Sequence, residues 1–233
     1  MHDRSIVPRD PRCSDDYLEK VVPVIDESIR RLAETEFRED PIGGLKYSRA
    51  TSIISSAYKR HGQILGTAIL ECLKSNPRLS VWHEEAFKLS GESLSKLREL
   101  MRIEPCLRLK LRYGECEKVC PLDVVVYDAA AKTLRSYNVK RGNGAYDAGK
   151  KKLIQDELLR VNMLLEDYGR QLGLTVAAAE AKIIFYYGLR SISEPLSLVA
   201  EELDDHFGMS VRAPVEAAND YFRTRLHELI ESC

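Results

Sequence analysis

Apolar positions recur at helical spacing in the first third of the chain. Leu18, Val21, Val22, Ile25, Ile29 and Leu32 predict a helix entered at Ser14-Asp15-Asp16, behind a loose arm over 1–13 that carries Pro8 and Pro11. Pro41-Ile42-Gly43-Gly44 interrupts the pattern. A second stripe, Ile53, Ile54, Ala57, Ile64, Leu65, Ala68, Ile69 and Leu73, predicts a long helix from just after Ser48 to Lys74, with Gly62 and Gly66 permitting close packing and Asn76-Pro77 ending it. Leu79 to Phe87 follows as a candidate strand, and Ser90 to Met101 as a helix capped by Ser90 or Ser93.

Beyond Pro105 the period changes. Leu107, Leu109 and Leu111 alternate with Arg108, Lys110 and Arg112, the pattern of a half-buried strand. Leu122 to Tyr127 is apolar enough for a strand buried on both faces, and Thr133 to Lys140 returns after a turn at 128–132. Lys150 to Leu172 is amphipathic through Leu153, Ile154, Leu158, Val161, Leu164, Leu165 and Tyr168, and Gly173 stops it. Lys182 to Leu189 is β-branched and aromatic, and Pro195–Phe207 and Pro214–Ile230 complete the chain as two predicted helices. This order implies an α/β fold, a mixed central sheet flanked by helices with additional N- and C-terminal helices. It divides into an N-terminal arm and helix (1–48), an α/β core (49–190) and a C-terminal helical pair (191–233).

Composition narrows the picture. The chain is 44% hydrophobic and 30% charged, the balance of a globular rather than a disordered protein. No apolar run approaches the roughly 20 residues needed to span a bilayer, and Met1 to Asp16 lacks an apolar signal core, so a cytoplasmic location without membrane association is expected. Of the six cysteines, Cys106, Cys116 and Cys120 lie nearest one another, but without CxxC spacing or a nearby histidine they read as reduced thiols rather than zinc ligands. The net charge of −1 confines nucleic-acid binding to a local basic surface. One exists: between 132 and 152 stand Lys132, Arg135, Lys140, Arg141, Lys150, Lys151 and Lys152 against Asp147 alone. Three lysines at a helix start oppose the macrodipole, a cost that contact with phosphate would offset. Arg141, Asn143, Lys150, Lys151 and Lys152 are the candidate DNA contacts, with Gly142-Asn143-Gly144 as a loop able to approach a backbone.

The candidate chemistry lies in Pro121-Leu122-Asp123 and, fourteen residues later, Asn138-Val139-Lys140. Residues two apart on a strand share a face, so Asn138 and Lys140 point the same way, and a hairpin can bring them beside Asp123. A carboxylate and an amide oxygen are hard ligands for Mg²⁺, and a lysine stabilises developing negative charge or orients water, the kit of phosphodiester hydrolysis. On these residues the chain resembles the PD-(D/E)xK nuclease superfamily, with one extra residue between Pro121 and Asp123 and with Asn138 where the second acid stands. The resemblance spans about residues 50–190. It implies a restriction-endonuclease-like fold, a Mg²⁺- or Mn²⁺-dependent DNA endonuclease, and often a homodimer. It also implies an auxiliary metal-binding acid on the long helix, for which Glu71 is the candidate.

With Asn138 neutral, charge would come from Glu71 or Glu85, or from an acid moved to the next helix, Asp147, Asp156 or Glu157. Otherwise the domain is a degenerate DNA-binding or assembly protein. RNA-directed cleavage on the same core is a third reading. His83-Glu84-Glu85 reads as an exposed edge that can lend an acid. Trp82 reads as core, Tyr186-Tyr187 as aromatics able to stack on bases but more often packed against helices, and His61 and His206 as surface residues.

Overall fold

The computed structural model describes residues 12–232, the side chains of 12–16 and of Lys46 excepted; the arm proposed for 1–13, with Pro8 and Pro11, lies almost wholly outside them. The fold is α/β, a five-stranded open mixed sheet with seven α-helices among the described residues. In chain order these are α1 (Arg12–Ala33), α2 (Gly44–Lys74), β1 (Leu79–Leu89), α3 (Gly91–Leu100), α4 (Ile103–Arg108), β2 (Lys118–Asp128), β3 (Thr133–Lys140), α5 (Ala148–Gln171), β4 (Ala178–Phe185), β5 (Ser197–Val199), α6 (Leu203–Phe207) and α7 (Arg212–Glu231). The strands lie in sequence order. β1, β2 and β3 are antiparallel, whereas β4 and β5 run parallel to β3. A parallel pair needs a crossover, and α5 supplies it between β3 and β4.

The turn into β3 is chemically explicit. Asp128 Oδ1 accepts the backbone N–H groups of Ala130 and Ala131, and Lys132 takes a left-handed φ of 54°. Helices cover both faces. On one, α1, α2 and α7 form a layer whose Ile25, Leu65, Ile69 and Phe222 pack with Val124, Val126, Tyr137, Val139 and Ile184 of the sheet. On the other, Leu158, Val161 and Leu165 of α5 meet Val125, Leu134, Ile183 and Phe185. Arg160 of α5 is buried and ties this face to the start of α3: it donates to Ser93 Oγ and Ser90 O, and pairs with Glu117 at 3.1 Å.

Several expectations are corrected. The first helix begins at Arg12, so Ser14 lies within it, and it ends at Ala33 well before Pro41. Residues 107–112 do not form a strand: α4 occupies 103–108 and the rest is irregular. Their alternation is satisfied by α5 instead, because Asn162 Nδ2 donates to Leu107 O and Leu111 N–H donates to Met163 O. The fourth strand lies at 178–185 rather than 182–189, since the parallel register with β3 starts at Thr133↔Ala178 and outranks the stronger β propensity of Tyr186-Tyr187. The predicted helix 195–207 starts late: β5 takes 197–199 and completes the sheet edge beside Ile183–Phe185, and the chain turns helical only from Ala200, as one 3-10 turn leading into α6. Leu153, placed in the buried stripe of α5, is exposed, while the adjacent Ile154 packs against the cluster of Leu158, Ile183 and Phe185.

The two histidines expected at the surface are drawn inward. His61 is 5% exposed, stacks on Phe222 at 5.1 Å, and its Nε2 lies 2.9 Å from Asn219 Oδ1. His206 Nε2 lies 2.7 Å from the buried Tyr137 hydroxyl. Burial lowers both imidazole pKa values below the ordinary 6.5; at His61 the Asn219 hydrogen bond opposes it, ahead of the lowering by Arg141, and at His206 Arg135 reinforces it against Glu180. The unfolded chain therefore binds protons below pH 6.5 that the folded one resists. This contribution to stability is complete above that pH and is lost as pH falls through the depressed values. Urea midpoints are expected to be lower at pH 5.5 than at 7.5, with the difference reduced in His61→Gln and His206→Gln. An undiminished difference in both variants would assign the acid sensitivity elsewhere.

Candidate functional site

The ladder between β2 and β3 stops at Val124↔Tyr137, one residue short of Asp123. On the other side of β2 the register with β1 slips between Trp82↔Val125 and Glu84↔Leu122, a bulge that re-aims Asp123. The side chain then replaces the missing rung: Asp123 Oδ2 accepts the Val139 N–H at 2.7 Å. Lys140 Nζ stands 4.0 Å from the same oxygen, each side chain about a third exposed. Oδ1 makes no hydrogen bond to a described residue. Gly66 of α2 lies against Asp123: a Cβ there would stand 3.6 Å from Asp123 Cβ, an ordinary contact distance.

Asp123 is therefore both a site residue and a strand tie. Asp123→Ala is expected to leave the Val139 N–H unpaired in an almost fully buried residue, at a cost of about 1–3 kcal/mol. Asp123→Asn retains an acceptor and should lose less. Equal urea midpoints for the two variants would contradict the tie.

The other sequence candidates separate. Asn138 and Lys140 share the α5 face, opposite Ile183 and Phe185 in register, and Asn138 Oδ1 is buried without a hydrogen-bond partner among the described residues. Glu71 is not brought to Asp123. It lies five residues past Gly66, about 140° around the helix, and pairs with Lys74 at 2.7 Å on the side facing α1. Gln63 occupies the helix position that faces the site instead. Glu85 is exposed on β1, away from the cleft lining, while its neighbour Glu84 accepts from the Tyr168 hydroxyl, which itself accepts from Trp82 Nε1. His83 Nδ1 lies 3.2 Å from the Asp123 carbonyl.

Among the helix acids, Asp147 caps α5 through the Lys150 N–H, which lowers its carboxyl pKa, and Asp156 pairs with Lys152. Glu157 pairs with Lys118 at 2.6 Å beside Cys120. The Cys120 thiol is pushed up to about 12, first by burial and then by Glu157, with the Asp123 charge adding to it.

Asp123 and Lys140 form part of a cleft of about 700 Å³ between α2, the end of β3, the loop 141–147 and the first turn of α5. Lys59, Lys140, Arg141 and Lys150 line it against Asp123 alone, together with Asn143 and Gln63. Arg141 lies 4.2 Å from the ring centroid of Tyr58, and Lys150 Nζ lies 4.4 Å from that of Tyr146. Lys151 and Lys152 are outside the lining. Lys59 was missed by sequence reasoning because the charge run was sought in one segment. The signal was the spacing of Lys59, Gly62, Gln63 and Gly66 on one helical face.

Among the described residues no three His, Cys, Asp or Glu side chains converge where a metal ion could sit. The divalent ion implied by the sequence resemblance thus does not fit as a multi-carboxylate site: Asp123 offers one uncommitted oxygen, and Asn138 and Gln63 bring no charge. No protein family matches the chain, and no significant match is found among curated proteins or solved structures. No helix among the described residues is long and apolar enough to cross a membrane.

Proposed function

We propose that this chain binds the phosphodiester backbone of DNA in the cleft between α2 and the start of α5, on a restriction-endonuclease-like core whose nuclease site is reduced to Asp123 and Lys140. The observation that carries this reading is the lining itself, four cations and one carboxylate in a chain of net charge −1. Cations on facing walls suit a polyanion, and contacts to phosphate give affinity without sequence preference. Lys140 serves as a phosphate ligand held in place by Asp123.

Metal-assisted hydrolysis is the second reading. It is favoured by the 4.0 Å Asp123–Lys140 pair at an opened ladder and by the free Oδ1. Cutting both strands would then require two copies, hence a homodimer.

The deciding experiment titrates a labelled duplex against the protein at several salt concentrations. Four phosphate contacts predict a log–log slope of about −3 to −4. Absent binding, or binding indifferent to salt, overturns the proposal. Plasmid incubation with Mg²⁺ or Mn²⁺ separates the readings. Cleavage by wild type that is lost in Asp123→Ala and Lys140→Ala establishes the second, and a gain in Asn138→Asp would place the amide where an acid acts.

A further inference from the structure

A series of rings runs from the core to the cleft wall. Phe222 of α7 stacks on His61 of α2 at 5.1 Å and 7°, and His61 stacks on Tyr187 at 5.8 Å and 26°. Arg141 follows, 5.8 Å from the Tyr187 ring and 4.2 Å from that of Tyr58. The series begins in the core, where Phe222 is 5% exposed, and ends in solvent, where Tyr58 is 52% and Tyr187 is 44% exposed. Arg141 makes no ion pair among the described residues, and its Nε is buried without a hydrogen-bond partner, so the guanidinium is held by ring faces.

A tyrosine at the surface of a folded domain is costly to orient and leaves apolar area wet. Here its orientation is set by a cation that also lines the phosphate cleft, and its neighbour along the helix, Lys59, lines the same cleft.

We propose that the exposed ring of Tyr58, backed by Arg141, is a stacking platform for an unpaired nucleobase, so that the preferred ligand is single-stranded or frayed nucleic acid with its backbone in the cleft. This rests on the reading of the cleft as a phosphate site. A base inside a duplex is stacked on its neighbours and shows no free face, whereas an unpaired base offers one to an aromatic ring with little regard to sequence. Ring and cations line one cleft: Tyr58 and Lys59 on α2, with Lys140, Arg141 and Lys150 from β3, the following loop and α5.

The test compares a fluorescently labelled single strand with the matching duplex, and uses 2-aminopurine in the single strand as a stacking reporter. Wild type is expected to bind the single strand more tightly and to quench 2-aminopurine. Tyr58→Ala should weaken single-strand binding about tenfold or more, leave duplex binding within about twofold, and abolish the quench. Tyr58→Phe and Tyr58→Trp should restore both, because a ring face and not the hydroxyl is required. Loss of affinity for both ligands alike in Tyr58→Ala would make Tyr58 a support for the loop and overturn the proposal. So would unchanged affinity, or absence of quenching by wild type. If wild type binds the duplex in a salt-dependent way without any single-strand preference, the platform fails and the phosphate cleft stands. If it binds neither, both fail.

Discussion

Reversing Lys59 and Lys150 to glutamate together is expected to lower DNA affinity by about two orders of magnitude near physiological salt. These two lysines face the cleft from opposite walls, and neither makes an ion pair among the described residues. Both are exposed, Lys150 meeting the single ring of Tyr146, so their charges are available to displace counterions, whereas Lys140 is shared with Asp123 and Arg141 lies between two rings with its Nε buried. Each phosphate contact contributes about 0.9 to the salt slope, so losing two of four should halve it to about −2. Added repulsion deepens the loss. The same double reversal at Lys151 and Lys152, outside the lining, should move the slope less than half as far. Anisotropy titrations between about 50 and 200 mM salt measure both slopes. Equal effects from the two pairs would mean that net charge, not the cleft, governs binding.

Gly142→Val is expected to give the largest loss of stability of any single change near the site, about 3 kcal/mol or more. Gly142 has φ +67°, a region that costs an L-residue roughly 1–2 kcal/mol. A Cβ there would also stand 2.8 Å from Phe185 Cβ and 2.9 Å from its Cα. The obstructing atoms belong to the buried end of β4, so they cannot swing aside as the tip of a flexible chain would, and overpacking adds about 1–3 kcal/mol. The Gly142 carbonyl accepts the Leu189 N–H, so any shift also disturbs the segment leading to β5. For a chain of this size the midpoint should fall by roughly 6–12 °C. Gly144→Ala is the control, because nothing lies within 4 Å of its Cβ position and its φ is not in the left-handed range. A thermal midpoint for Gly142→Val within a degree or two of that control would refute the argument.

Periodicity legible in the chain placed α2, α3, β2, β3 and α5 within a few residues, because each is long enough for its buried face to repeat and most have an unambiguous boundary. Ser90 caps α3, and the Asx turn at Asp128 closes the hairpin. The alternation at 107–111 was equally regular and misled, since a half-buried segment crossing a helix shows the same pattern as an edge strand. β5 was invisible for the opposite reason: three residues carry no period, and only the exposed edge of β4 makes them a strand. His61 and His206 read as surface residues because a single polar residue on a helix gives no sign of which partner helix or strand will cover it.

The pairing of Asp123 with Lys140, the feature on which any chemistry here would depend, divides in the same way. Sequence alone determined that a hairpin joins their strands and that Asn138 and Lys140 share a face, because turn chemistry and a period of two are local properties. Tertiary structure decided the rest. A bulge in β2 turned Asp123 toward Gly66, the helical phase of α2 carried Glu71 away and brought Lys59 and Gln63 in, and loop closure set Arg141 against Tyr58. Those outcomes depend on how separate elements are rotated against one another, and that rotation is fixed by packing between residues far apart in the chain.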